Sequence, residues 1–177
     1  MKKIIALILC AGMLAAVAAG CGGGQQAAAT GDEAANTSVS AYQNTYKDLL
    51  TYLSAWGYIN PLEKNEGVTY TKMRADLIGA KQGKRFNAIH TKDTTIEIYE
   101  FDTAAHNATA DEVLNSVRSS GTFKNLFGEE VNDVYLSKSG RYMMIYNDAS
   151  INDDSKDTDE NVKKRAEVVE KFNAFDR

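Results

Sequence analysis

The chain has 177 residues, and its 20 basic and 24 acidic side chains give a formal net charge of −4. This acidic balance argues against nucleic acid or an anionic lipid surface as a general partner. With 44% hydrophobic and 25% charged residues, the composition is that of an ordinary globular protein with room for one core.

The chain begins with the pattern of a secretory signal peptide. Lys2 and Lys3 form a charged start, and residues 4–19 form an uncharged, largely apolar run. As a helix this run would be about 24 Å long, which is shorter than the roughly 30 Å hydrocarbon core of a bilayer. A signal peptide over residues 1–20 is therefore predicted rather than a permanent transmembrane helix.

The segment Val17-Ala18-Ala19-Gly20-Cys21 resembles the lipobox of bacterial lipoproteins, although Ala18 stands where a larger aliphatic residue is usual. The resemblance implies cleavage before Cys21, a diacylglyceryl group on its sulfur, and a lipid-anchored position on the extracytoplasmic face of the cell membrane. Two acyl chains make a stable anchor, because each buried methylene contributes about 0.8 kcal/mol. The alternative is an ordinary signal-peptidase cut that leaves Cys21 unmodified.

This processing would leave the mature protein without a free thiol, because Cys10 and Cys21 are the only cysteines. Disulfides, a cysteine nucleophile and a cysteine-based metal site are then excluded. The net charge would become −6, with 18 basic and 24 acidic residues remaining. Residues 21–36 contain no large apolar side chain and are predicted to form a flexible tether with a reach of roughly 20 Å.

Residues 37–177 are predicted to form a single domain that opens with a long helix from Ser38 to Trp56. The evidence for this helix is an apolar stripe with helical spacing: Val39, Tyr42, Tyr46, Leu49, Leu53 and Trp56. A second, shorter helix is predicted over Tyr70–Gly79.

After Gly83 the apolar period changes from that of a helix to that of a strand. Residues 84–90 and 95–102 are predicted to form a hairpin whose second strand is central, because both of its faces carry apolar residues. Thr109 and Glu112 form a capping-box pattern that opens a helix ending before Gly121.

A second hairpin is predicted over residues 133–138 and 141–147, with Val134, Leu136 and Met144 on one face. A final helix over residues 160–175 is predicted to turn four side chains inward: Val162, Ala166, Val169 and Phe172.

The predicted fold is α+β, with a long N-terminal helix followed by two β-β-α units. Four antiparallel strands with helices on one face would make a two-layer sandwich. Residues 70–175 also resemble small uncharacterised surface lipoproteins of Gram-positive bacteria, through Ile78-Gly79-Ala80, the strand at 96–102 and a Ser-Gly-Arg-Tyr hairpin. The shared motifs are structural, and the resemblance implies no activity.

The candidate binding residues are three tyrosines of the second hairpin, Tyr135, Tyr142 and Tyr146. Tyr142 and Tyr146 share strand parity, so one face of the sheet is predicted to be aromatic. If the helices cover only the other face, these side chains would be exposed to an envelope protein or a wall polymer.

The remaining polar clusters lack a complete chemical motif. His90 and His106 are too few for a zinc site. The acidic loop 152–160 fails as an EF-hand, because Thr158 and Lys164 occupy its glycine and glutamate positions. A solvated loop is predicted there, with cation binding as the alternative. No nucleophile elbow or phosphate loop occurs, so no enzyme activity, cofactor or metal is expected.

The sequence therefore predicts a membrane-anchored extracytoplasmic lipoprotein whose domain is a non-catalytic binding or interaction module at the cell envelope. The alternative is a lipoprotein that captures or senses a small ligand or a cation. A flat, tyrosine-rich face would favour the first function, and a concave pocket would favour the second.

Overall fold

The computed structural model describes residues 37–62, 67, 69–91, 93–151 and 157–177. The predicted signal peptide 1–20 and the tether 21–36, with Cys21, lie outside the described residues, as does most of the acidic loop, residues 152–156. Within the described part of the chain, no helix is long and apolar enough to cross a membrane.

The fold is α+β, as predicted, and the described residues form three α-helices and a five-stranded antiparallel sheet. The strands are β1 (Thr71–Lys72), β2 (Gln82–Asn87), β3 (Thr94–Glu100), β4 (Phe123–Lys124), β5 (Glu130–Val131), β6 (Val134–Leu136) and β7 (Tyr142–Asp148). The helices are α1 (Tyr46–Ala55), α2 (Ala108–Ser120) and α3 (Asp159–Phe175). The main sheet has the order β1-β2-β3-β7-β6, while β4 and β5 form a separate hairpin. The prediction of four strands is wrong because β1 adds a fifth.

The predicted long N-terminal helix is wrong as well, since α1 begins only at Tyr46. Thr45 is extended and caps the helix by accepting a hydrogen bond from the Asp48 amide, at 3.2 Å. Asp48 in turn accepts one from the Gln43 amide at 3.0 Å. The Thr45 side chain satisfies a free amide of the first helical turn, and Asp48 holds the extended segment before it, so the helix does not extend toward Val39–Ala41, which forms a separate 3-10 turn.

The predicted helix over Tyr70–Gly79 divides into strand β1 and a 3-10 turn, Ala75–Ile78. Gly79 ends this turn in the left-handed conformation, with φ at 72°. A Cβ at Gly79 would lie 2.4 Å from the Ala110 amide nitrogen, so the turn packs directly against the start of α2. The close approach requires glycine and stops the turn from continuing as a helix.

Helix α2 ends at Ser120, before Gly121, as predicted, but its N-cap is Asn107 rather than Thr109. The Asn107 side chain accepts a hydrogen bond from the Ala110 amide at 2.9 Å. Asparagine is a strong N-cap and lies two residues earlier in the chain, so the helix starts there.

One face of the sheet is covered by α1 and α3. Leu49, Leu50 and Leu53 of α1 are completely buried, together with Phe172 and Phe175 of α3. Complete burial of each leucine contributes about 1.5–3 kcal/mol relative to exposure. On α3 the predicted inward positions Val162 and Ala166 are exposed and Val168 is buried instead, while Phe172 is buried as predicted.

The opposite face of the sheet is covered in part by α2, so the predicted two-layer sandwich is wrong. A second hydrophobic cluster joins this face to Ala110, Val113, Leu114 and Val117 of α2. Helices therefore lie on both faces, because strands β3 and β7 carry apolar side chains on both. Met144 pairs with Tyr135 and faces α1 and α3, whereas Val134 pairs with Ile145 and faces α2, contrary to prediction.

The end of the chain is joined to the turn of the second hairpin through Asp176. Its buried carboxylate accepts hydrogen bonds from the Ser139 amide at 2.8 Å, the Ser139 hydroxyl at 2.6 Å and the Asn44 side chain at 2.9 Å. Burial raises the pKa of Asp176, but these hydrogen bonds outweigh it and hold the pKa below its ordinary value of 3.8. The Asp176 carboxylate, at the end of α3, is thus hydrogen-bonded both to the segment before α1 and to the turn between β6 and β7.

Replacing this carboxylate should destabilise the domain in a pH-dependent way. We expect Asp176→Asn to lower the free energy of unfolding at pH 7 by about 1–3 kcal/mol, because a buried charged acceptor is lost. Since the folded-state pKa is lowered, this stability is present above the unfolded pKa of about 3.9 and is lost as the pH falls through the folded value. Urea unfolding from pH 7 to pH 2 should show the two proteins converging in acid. A constant difference would contradict the role of the charge.

Candidate binding cleft

A cleft of about 550 Å³ opens on the α2 side of the sheet, beyond the part that the helix covers. Its floor is the sheet itself, where Arg85, Glu97 and Tyr99 lie beside Ile145. One wall is the segment that leads into the Ala75–Ile78 turn, and the other is the β4–β5 hairpin with the segment after it. The volume is within the range of about 300–1,000 Å³ that is usual for small-ligand sites.

The floor is organised around the buried carboxylate of Glu97, whose side chain is 7% exposed. Arg85 lies directly opposite Glu97 in the strand register and donates to Oε1 through Nε at 2.8 Å, while its Nη2 forms an ion-pair contact with the same oxygen at 2.6 Å. The Tyr99 hydroxyl donates to Oε2 at 2.5 Å. Both carboxylate oxygens are therefore satisfied, as a buried charge requires.

The ring of Tyr99 reaches this position because its partner on β2 is a glycine. Gly83 lies opposite Tyr99 in the register, and a Cβ there would be only 2.4 Å from the ring. Burial raises the pKa of Tyr99 well above its ordinary range, and the charge of Glu97 raises it further. The tyrosine thus stays protonated and acts as a fixed donor on the cleft floor.

The rim of the cleft carries exposed apolar side chains. The described residues include five large hydrophobic side chains that are exposed, and three of them line this cleft: Leu77, Leu126 and Phe127. Phe127 is 86% exposed and lies at the tip of the β4–β5 hairpin. The tip is held in place by the Asn125 side chain, which accepts hydrogen bonds from the amides of Phe127 and Glu129 at 2.9 and 3.1 Å. A clustered apolar surface of this kind marks a binding site more often than scattered residues do.

The hairpin side of the cleft also carries three acidic residues, Glu129, Glu130 and Asp133. Asp133 has a left-handed backbone, with φ at 54°. Burial raises the pKa of Asp133, although Arg165 acts in the opposite direction. Among the described residues no basic group lies within 4 Å of these three carboxylates, whereas Arg74 and Arg85 each have a carboxylate partner, Asp76 and Glu97.

The predicted exposure of the three binding tyrosines is wrong, and of the three only Tyr146 is among the residues that line the cleft. Tyr135, Tyr142 and Tyr146 do share one face, but that face is the one that α1 and α3 cover. Tyr142 is 0% and Tyr146 is 1% exposed, and Tyr135 packs partly buried against the same cluster. The apolar stripe of α1 requires an apolar surface to pack on, and the aromatic face of β7 supplies it. Burial raises the pKa of Tyr142 and of Tyr146 to about 12.

The two histidines lie apart from the cleft and from each other. His90 Nε2 is 2.8 Å from the Tyr146 hydroxyl, and His106 pairs with Asp111 at 3.3 Å. In the described part of the chain no three histidine, cysteine, aspartate or glutamate side chains are placed to hold a metal ion.

Two features of the sequence indicate the cleft. Glu97 interrupts an apolar strand that is buried on both sides, which indicates a paired internal charge. Leu126 and Phe127 lie in a short loop between Asn125 and Gly128, where adjacent apolar residues have no helix or strand to pack against. The comparisons with known proteins matched no family model, no curated protein and no solved structure.

The contact between Gly83 and Tyr99 can be tested by stability measurements. In a strand without the tyrosine, Gly83→Ala would be favourable by roughly 0.5–1 kcal/mol, because glycine loses more conformational freedom on folding. With the ring in place we expect the same change to cost about 1–3 kcal/mol, because the new methyl group displaces it.

A double-mutant cycle with Tyr99→Leu, followed by urea unfolding, separates the two effects. The cost of Gly83→Ala should disappear or reverse in the Tyr99→Leu background. An equal cost in both backgrounds would contradict the contact.

Proposed function

We propose that this chain is a bacterial lipoprotein, anchored through lipid on Cys21 at the extracytoplasmic face of the cell membrane, whose domain is a non-catalytic binding module. The anchor is supported by the charged start, the apolar run and the lipobox pattern that ends at Cys21. The binding role rests on one observation: three of the five exposed large hydrophobic side chains of the described residues line one cleft.

The floor of the cleft supports binding rather than catalysis. A general base needs a free lone pair directed at the substrate, and a nucleophile needs an activating partner. Both oxygens of Glu97 accept hydrogen bonds within the protein, and Tyr99 remains protonated. The three polar groups hold one another in place, which suits a rigid recognition surface.

The cleft replaces the tyrosine face as the binding surface in this proposal. Its concave form and its volume of about 550 Å³ favour a ligand the size of a small molecule or a short segment of an envelope protein or wall polymer. Capture of a small ligand, the alternative from the sequence, is the second candidate function for the same reason. Nucleic acid is not proposed as a partner, because a formal charge of −6 would remain after cleavage before Cys21.

The anchor can be tested with the two cysteines of the chain, of which one is the matched control. We expect metabolic labelling with an alkyne analogue of palmitate to mark the wild-type chain and Cys10→Ser, but not Cys21→Ser. The Cys21→Ser variant should also be absent from the lipid-modified proteins of the membrane fraction. Label retained in Cys21→Ser would place the lipid elsewhere.

The cleft can be tested by capture from detergent-solubilised envelopes and wall fragments with residues 37–177. Both hydrophobic clusters are made of residues between Val39 and Phe175, so this segment contains the whole core described. Each apolar contact removed from an interface costs about 1–2 kcal/mol, so we expect Leu126→Ser with Phe127→Ser to reduce capture at least about tenfold.

The control is Ile89→Ser with Val162→Ser, which removes two exposed apolar side chains outside the cleft. This variant should capture as well as the wild type. Equal loss in both variants would indicate non-specific adhesion, and unchanged capture by the cleft variant would exclude the cleft.

A further inference from the structure

We infer that the ligand of this cleft is a cation with an apolar body, a chemistry offered by a short basic and apolar peptide segment or by a small organic amine. The inference deepens the proposed function and rests on it. It follows from which charges of the cleft are already neutralised and from how the charges and the apolar rim are arranged.

The side chains that line the cleft carry an excess of negative charge. Arg74 and Arg85 are the basic members, against five acids: Glu97, Glu129, Glu130, Asp133 and Asp148. Each arginine has an acidic partner, Asp76 at 2.7 Å for Arg74 and Glu97 at 2.6 Å for Arg85. The guanidinium groups therefore add little net positive potential for an anionic ligand.

The acids of the hairpin side are the groups that lack a counter-ion. Glu129 and Glu130 are exposed, and no basic group of the described chain lies within 4 Å of either one or of Asp133. Lys124 lies opposite Glu130 in the β4–β5 register without forming an ion pair, and both residues also line a neighbouring cavity. Clefts lined by one sign of charge focus the field and raise the local concentration of ions of the opposite sign.

At the Asp148 end of the cleft, Arg165 is shared between two acids. Its guanidinium lies 3.6 Å from Asp148 Oδ2 and 3.0 Å from Asp157 Oδ2. One positive charge thus serves two carboxylates, and a third, Asp133, lies within its electrostatic reach. This end of the cleft remains negative as well.

The apolar and acidic groups occupy the same wall, which sets the form of the ligand. Leu126 and Phe127 precede Glu129 and Glu130 on one hairpin, so an apolar pair and an acidic pair lie within five residues of each other. A ligand that lies along this wall therefore places apolar groups beside Phe127 and amino or guanidinium groups beside the two glutamates. Aromatic and cationic groups together also allow a cation–π contact with Phe127.

The inference is tested with the full chain in non-ionic detergent and four probes. Three are N-acetylated tetrapeptide amides of the sequences Phe-Lys-Leu-Lys, Phe-Gln-Leu-Gln and Phe-Glu-Leu-Glu, and the fourth is 4-phenylbutylamine. Affinities are measured by isothermal titration at low and high salt. The peptides share their apolar residues and differ only at the two positions that carry a positive, a neutral or a negative side chain.

We expect the lysine peptide to bind at least about tenfold more tightly than the glutamine peptide, and the glutamate peptide to bind least. The advantage should shrink in 1 M salt, where the screening length falls to about 3 Å. The variant Glu129→Gln with Glu130→Gln should lose the advantage. The control variant, Glu160→Gln with Glu170→Gln on α3, removes the same amount of charge at positions distant in the sequence. It should keep the advantage of the lysine peptide. Binding of 4-phenylbutylamine with the same dependence on Glu129 and Glu130 supports the small-amine source.

Two results would overturn the inference. Equal affinity for the lysine and glutamine peptides, abolished by Phe127→Ser, would leave a binding cleft that does not select charge. Equal losses in the two glutamine variants would assign the preference to the overall charge of the protein. Failure of the cleft itself would appear differently, as lysine-peptide binding that Phe127→Ser leaves unchanged.

Discussion

Strand β3 is buried on both faces, and the arrangement of the other elements follows from this constraint. Ile96 and Ile98 face α1 and α3, while Glu97 and Tyr99 face the side of α2. A strand of this kind has to lie between two neighbours and under two layers, because an open edge or face would expose its apolar groups. The helices therefore divide between the two faces, with β2 and β7 on either side of β3.

The two faces of the main sheet are packed differently. On the α1 and α3 side the core is aromatic and closed, with Tyr142, Tyr146 and Phe175 almost completely buried. On the other side α2 covers only part of the sheet, and the remainder carries the buried carboxylate of Glu97 with its two donors. Because α2 covers this face only in part, the charged group of Glu97 lies on the floor of a rigid cleft that is accessible from solvent.

Much of the fold was predictable from local patterns. The change of apolar period near Gly83, the left-handed glycine after α2 and the turn of the second hairpin all correspond to observed boundaries. The errors arose where side chains compete for backbone amides, as Thr45 and Asn107 do at the starts of α1 and α2. They also arose where a short strand, β1, exists only because β2 lies beside it. Such pairings depend on distant residues, and no local pattern encodes them.

The sequence by itself determined the α+β class, the antiparallel hairpins and the two-sided burial of the central strand, because apolar periodicity is a local property of the chain. Only the tertiary structure decided which face each layer covers, and with it the location of the candidate site. The tyrosines of β7 became core because α1 and α3 pack on them. Leu126 and Phe127 stayed exposed because their hairpin forms a separate two-stranded sheet and neither core cluster includes them. Exposure is a property of the assembled layers, so a surface for binding becomes defined only when the layers meet.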